Sequence, residues 1–279
     1  MKSELNFNEE PVTEPASLNS GMKKWIKRAG PILILLASFI LGFIYFFNFD
    51  IVARYFFLKE GYAIDVDKMD IHLSGNFELQ RVKYVLQTAK GLENQIKVEY
   101  VSGNLSILKI LLSNTFALES DFKGVKIPFS SGFVSGGSWK LNSMIQNISK
   151  NVQQWSGNVS VSTESAMLQY AVLNSNYVAE IKSGKIRGTV KNGLLQLDTS
   201  EVNTDIARII ITGSTTINQP YNVNIQMTIT PLEEFGKKYP NEKSMLSAVM
   251  QKETSIIVNL SGNLDNLRPQ IKNFNLPGM

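Results

Sequence analysis

The chain has 279 residues, 19% of them charged, a net charge of +4 at neutral pH and no cysteine. The absence of cysteine excludes disulfides, thiolate metal sites, lipoprotein-type lipidation and a thiol nucleophile. The positive excess gathers ahead of one apolar stretch, and no basic patch interleaved with aromatics stands out, so a nucleic-acid partner is not expected.

Residues 1–21 hold Glu4, Glu9, Glu10 and Glu14, two prolines and little apolar content. They read as a disordered cytoplasmic tail. Residues 22–58 read as a membrane anchor with a juxtamembrane helix. From Ala29 to Phe49 no residue is charged, and a helix of that length rises roughly 30 Å, the thickness of a bilayer's hydrocarbon core. Lys23, Lys24, Lys27 and Arg28 precede the span, whereas Asp50, Arg54, Lys59 and Glu60 balance one another after it. The positive-inside rule then leaves the N-terminus in the cytoplasm and carries the rest across the membrane. A cleaved signal peptide is the competing reading. Its apolar core would run about 7–15 residues and end in small side chains, whereas this span ends in Phe46, Phe47 and Phe49. An uncleaved single-pass anchor at residues 29–49 is therefore expected.

Residues 59–279 read as one β-rich domain. Ile71 and Leu73 alternate with polar residues, as do Phe77 and Leu79, and then Val82, Tyr84 and Leu86 continue on the opposite parity. That phase switch predicts a bulge, or a turn between two strands. Alternation returns at Ile96, Val98 and Tyr100, followed by Leu105 and Ile107, and at Val159 and Val161. It recurs at Ile186 and Val190, Leu195 and Leu197, Ile209 and Ile211, and Ile256, Val258 and Leu260. The cleanest run sets Tyr221, Val223, Ile225, Met227 and Ile229 against Asn222, Asn224, Gln226 and Thr228. One greasy face and one wet face is the pattern of an antiparallel strand. Two short helices are expected, over Ser143–Trp155 and over Pro240–Lys252, from apolar residues recurring on one helical face. Glu164–Leu173 stays open between helix and strand.

Two short helices cannot roof a sheet of this length. It must fold over, curl into a U, or meet another apolar partner. The predicted fold is mainly β: one transmembrane helix, then a curled or folded-over antiparallel sheet with one or two short helices. The five residues Tyr221, Val223, Ile225, Met227 and Ile229 are the candidate lining of an apolar groove.

A small motif, apolar-Ser-Gly-Asn-apolar, recurs around Gly75, Gly103, Gly157 and Gly262 without a fixed period. Glycine tolerates positive φ and marks bends or close approaches, so a structural role is expected for it. Reaction chemistry is sparse. His72 is the one histidine and sits on the polar parity of a strand pattern. Asp65, Asp67 and Asp70 lack the glycine and terminal glutamate of a calcium loop. No catalytic residue, metal site or cofactor is expected, and the chain does not read as an enzyme.

The order of features carries a resemblance. After the anchor come HLSGNFELQRVKYVL (His72–Leu86) and IKVEYVSGNLSILKILLSN (Ile96–Asn114). The second half holds SGKIRGTVKNGLLQLDTSEV (Ser183–Val202), ITGSTTINQPYNVNIQMTITP (Ile211–Pro231) and SIIVNLSGNLDNLRPQIK (Ser255–Lys272). Over roughly residues 30–272 the chain resembles the general secretion pathway protein N (GspN) family of type II secretion systems. More broadly it is similar to AsmA-like proteins of the Gram-negative envelope. The resemblance implies a single-pass inner-membrane protein with a β-rich periplasmic domain, accessory to protein export, whose partners are other secretion components. The AsmA-like kinship implies an apolar groove for phospholipid acyl chains. It supplies no catalytic residues.

Overall fold

The computed structural model describes residues 64–72, 74–86, 94–129, 132–149, 151–172, 175–218, 221–250, 254–263 and 266–272, together with Leu35 and Ser38. The expected tail 1–21 lies outside these residues, as does the expected anchor except for Leu35 and Ser38, which are helical. Among the described residues no helix is long and apolar enough to cross a membrane. The chain divides into Met1–Phe47 and Asn48–Met279, and the sheet belongs wholly to the second unit.

Thirteen strands make one antiparallel sheet. They are β1 Ile64–Ile71, β2 Asn76–Leu86, β3 Asn94–Leu105, β4 Thr115–Lys123, β5 Lys126–Phe129, β6 Gly132–Gln146 and β7 Ser156–Val172. Then come β8 Ser175–Lys191, β9 Leu194–Thr204, β10 Ala207–Thr216, β11 Asn222–Pro231, β12 Ile256–Asn263 and β13 Asn266–Ile271. Spatial order follows chain order, and β4 and β5 share one position between β3 and β6. A meander of this kind needs only short connections, and the turns supply them. Between β8 and β9 the link is Asn192-Gly193, both at positive φ (54° and 73°). Two left-handed residues are what a tight hairpin matched to strand twist requires.

Helices are short and lie in the connections: α1 Ile107–Ser113, α2 Glu233–Lys238 and α3 Pro240–Met250. The helix expected at Pro240 is present. The one expected over Ser143–Trp155 is not. Ser143–Gln146 finishes β6, Val152–Gln154 is a single 3-10 turn and Ser156 opens β7. Its helical spacing came from joining a strand end to the turn beyond. Pairing with β4 and β7 decides the matter, since Leu141, Ser143 and Ile145 lie opposite Val161, Val159 and Gly157. Glu164–Val172 is strand. Ile107, which continues the strand pattern on paper, instead begins α1, stopped at Asn114 in left-handed conformation (φ 51°, ψ 38°).

The phase switch after Leu79 is not a turn between strands. It falls inside β2, at Arg81 with φ 52°. Nor is it local. Pairing skips Asp67 opposite Arg81, Arg81 opposite Glu99, and Glu99 opposite Gly124, while register holds on both sides. The same skip continues at Gly137 and Ser165, then Lys182. Gly124, Gly137 and Ser165 also have positive φ (62°, 74° and 56°). A crease therefore crosses the sheet from β1 to β8. At each strand it shifts the side-chain alternation by one residue, so apolar residues on both sides share one face. Val98, Val101 and Val125 accordingly form a single buried cluster, with Leu79, Val82 and Phe122 packed on it.

A second irregularity crosses β8, β9 and β10, where register slips between Lys185 and Gly188 and between Ile211 and Gly213. Ser200 plugs it. Its side chain is fully buried, its Oγ accepts the Arg187 N–H at 3.0 Å, and it lies 3.0 Å from the Asp198 carbonyl oxygen, to which its hydroxyl donates. The hydroxyl takes over a rung that the displaced backbone cannot make.

The sheet's two edges are β1 and β13. Lys272 N–H donates to Ile257 O, so by alternation Pro269 turns its ring nitrogen away from β12. The ladder loses nothing, and the free edge lacks a donor there. On β1, His72 N–H donates to Asn76 O. Alternation then points the N–H and C=O groups of Ile71 and Met69 outward.

Candidate functional site

The apolar face is built from rows that run across the strands. One passes through Met69, Leu79, Val101, Phe122, Trp139, Thr163, Gly184, Val202, Ile209, Ile229 and Ile256, each opposite the next. At about 4.8 Å per strand, the row is on the order of 50 Å long. Parallel to it run Leu118, Ser143, Val159, Gly188, Leu197, Gly213, Ile225 and Leu260.

Of the predicted groove residues, four sit in β11, Ile225 and Ile229 on these two rows and Val223 and Met227 at the same parity. Val223 is buried, Ile225, Met227 and Ile229 are half-buried, and their cross-strand neighbours are Thr215 and Gly262, Gly213 and Leu260, Ile211 and Val258, and Ile209 and Ile256. Tyr221 precedes the strand and is exposed. Most of the face is only half-buried, and the fully buried apolar side chains are mainly small: Val66, Val98, Ala117, Ala166 and Ala179 among them. Neighbours within one sheet give that degree of cover. A packed second layer would give more.

Glycines occupy the rows where large neighbours lean across. A Cβ on Gly103 would stand 2.7 Å from Phe77 Cζ and 2.4 Å from Glu119 O. One on Gly188 would stand 2.7 Å from Leu195 Cδ1. The recurrent Ser-Gly-Asn motif thus has two roles. Gly103, Gly157 and Gly262 lie within strands, and Gly75 sits in the β1–β2 turn, where a Cβ would meet the Leu105 carbonyl.

Two other surfaces escaped the alternation pattern. On α1, Leu108, Leu111 and Leu112 are 71%, 73% and 83% exposed, one apolar helix face with no cover among the described residues. Their spacing was legible; their position outside the sheet was not. At the opposite ends of the strands, α2 and α3 fasten to β8. Tyr239 Oη accepts Val178 N–H at 3.0 Å and donates to Val178 O at 3.2 Å, while Tyr177 Oη donates to Glu242 Oε1 at 2.9 Å. The Tyr177 and Tyr239 rings stand 5.1 Å apart.

Charged groups on the polar face pair across and along strands. Asp67 meets Arg81 at 2.6 Å and Asp65 meets Lys83 at 3.4 Å across to β2, whereas Asp70, opposite Glu78, lies 3.5 Å from His72 two residues on. The three aspartates are thus spread along β1. Among the described residues no cluster of His, Asp and Glu has metal-site geometry. Arg208 grips Glu201 through Nε and Nη2 at 2.8 and 3.1 Å, and those hydrogen bonds hold the carboxyl below its ordinary range.

Set against known protein families, curated proteins and solved structures, the chain matches none of them.

Proposed function

We propose that this protein is an accessory component of a type II secretion system of the GspN kind, anchored in the inner membrane by residues 29–49, with the sheet in the periplasm. It acts by binding other secretion components, not by catalysis. The observation that carries this reading is the apolar surface of the described residues: a largely half-buried sheet face crossing eleven strands and three exposed leucines on α1. Contiguous apolar surface of that kind marks interaction sites on proteins. Deleting the gene should leave the secreted substrates of the system in the periplasm. Unchanged secretion would end this proposal. A reporter fused behind Leu58 should be active only on the periplasmic side.

A second reading is AsmA-like: the rows hold phospholipid acyl chains. It is favoured by their continuity, since mostly apolar side chains run for about 50 Å across the strands. Native mass spectrometry of the full chain extracted in mild detergent should show bound phospholipid. Ile225 is half-buried, so Ile225→Asp should empty the face while leaving the circular dichroism of the sheet unchanged. A folded variant that keeps its lipid would refute this second reading.

A further inference from the structure

The register brings together three lysines that the sequence keeps far apart. Lys83 of β2 lies opposite Lys97 of β3, and Lys97 lies opposite Lys126 of β5. Like charges directly opposite on neighbouring strands repel and destabilise a sheet. The flanks of the row have partners outside it. Lys83 reaches Asp65 at 3.4 Å, and Lys126 Nζ sits 4.5 Å from the centroid of the Phe133 ring. Lys97, in the middle, has no carboxylate within ion-pair distance among the described residues.

The three lysines line a hollow of about 250 Å³ at the crease, together with Arg81, Glu99, Gly124 and the edges of Val82 and Val98, the Lys83 and Lys126 ammonium groups leaning outward to β1 and β6. Arg81 is held by Asp67 at 2.6 Å. The Glu99 side chain folds over Gly124, where an added Cβ would strike its carboxylate. The crease is what opens the space: at Gly124 the φ is 62°, and the residue has no side chain of its own there. Counting Arg81, Lys83, Lys97 and Lys126 against Asp67, Asp65 and Glu99, the hollow keeps one positive charge.

From this geometry we infer that the Lys83–Lys97–Lys126 row is a binding site for a phosphate group. A phosphate carries up to two negative charges and enough acceptor oxygens to serve lysines from three strands at once, and lysine binds it as a point charge. Its charge turns two repulsive cross-strand contacts into attractive ones. Two sources supply such a group: free phosphate compounds, or the headgroups of anionic lipids. The headgroup source rests on the membrane reading above; the free-phosphate source does not.

Lysine footprinting on the full chain in lipid nanodiscs separates them. Acetylation rates of Lys83, Lys97 and Lys126 are compared with those of Lys140 and Lys185 as internal standards. Inorganic phosphate added to neutral phosphatidylcholine discs should slow Lys97 and Lys126 about twofold to fivefold, the range an exposed ion-pair cluster supports. Protection that appears only in discs containing phosphatidylglycerol assigns the site to lipid headgroups. Equal rates for all five lysines in every disc would overturn the proposal, whatever secretion assays show. The variant Lys97→Gln gives an independent reading. It removes the central repulsion, so it should melt higher than the parent in phosphate-free buffer and lose any rise in melting temperature on adding phosphate. A lower melting temperature, with the phosphate response kept, would make Lys97 a structural residue and refute the site.

Discussion

Gly137→Ala tests the crease, with Gly136→Ala as its control in the same strand. Both residues have positive φ, 74° and 77°. An alanine at either position therefore bears the left-handed penalty of about 1–2 kcal/mol. Their surroundings differ. A Cβ on Gly136 has nothing nearer than Ser165 O at 3.9 Å. On Gly137 it would stand 2.7 Å from Glu164 O and 3.0 Å from Ala166 Cβ. Backbone on the neighbouring strand cannot rotate aside, so overpacking adds about 1–3 kcal/mol to Gly137→Ala alone. For a unit of this size, about 1 kcal/mol moves the melting temperature by roughly 2–4 °C. Thermal denaturation of the full chain in detergent, followed by circular dichroism, should show Gly136→Ala lower by a few degrees and Gly137→Ala lower by about twice that. Equal shifts would mean that β6 and β7 do not approach as closely at the crease as described. No shift in either would mean that the left-handed backbone is not there.

Three further outcomes follow from the packing. Ser200→Ala removes the buried hydroxyl that accepts the Arg187 N–H and should cost about 1–3 kcal/mol, read as a lower urea midpoint; Ser200→Thr, which keeps the hydroxyl, should lose less. Tyr239→Phe removes both hydrogen bonds to Val178 and should speed amide exchange in α2 and at the start of β8, leaving β1–β4 unchanged. Because Arg208 lowers the Glu201 pKa in the folded state, the stability this pair contributes is present above the ordinary carboxyl value of 4.5 and is lost as pH falls through the lowered one. In Arg208→Gln the melting temperature should therefore vary less over that acid range than in the parent, and an unchanged acid profile would remove Glu201 from the account.

Much of the strand content could be read from alternation because one face is apolar and the other wet. Asn222–Pro231 is the clearest instance: every second residue faces the rows, as the pattern requires. Alternation failed where the backbone leaves period two. The parity change in β2 reads equally as a bulge or as a turn between strands, and only the structure decides for an irregularity within one strand, because the sequence does not reveal that Arg81 adopts positive φ, or that Glu99, Gly124 and Ser165 line up beside it. The false helix at Ser143–Trp155 has a similar cause, since a strand end followed by a turn places apolar residues at helical spacing by accident. Of the five candidate groove residues, Val223, Ile225, Met227 and Ile229 share one strand, which is why alternation groups them. It cannot group the lysine row: its members come from three strands and become neighbours only once register is fixed. Ser200 looked like any serine in an Asn- and Ser-rich chain, and only the slipped register beside it gives its hydroxyl a task.

The margins of the sheet are unequal. At β13, proline removes a hydrogen-bond donor from the outward side; at β1, the outward amide of Met69 belongs to a residue only 5% exposed. A visiting ribbon, from a neighbour or from another copy, therefore meets a missing donor at one margin and a covered amide at the other.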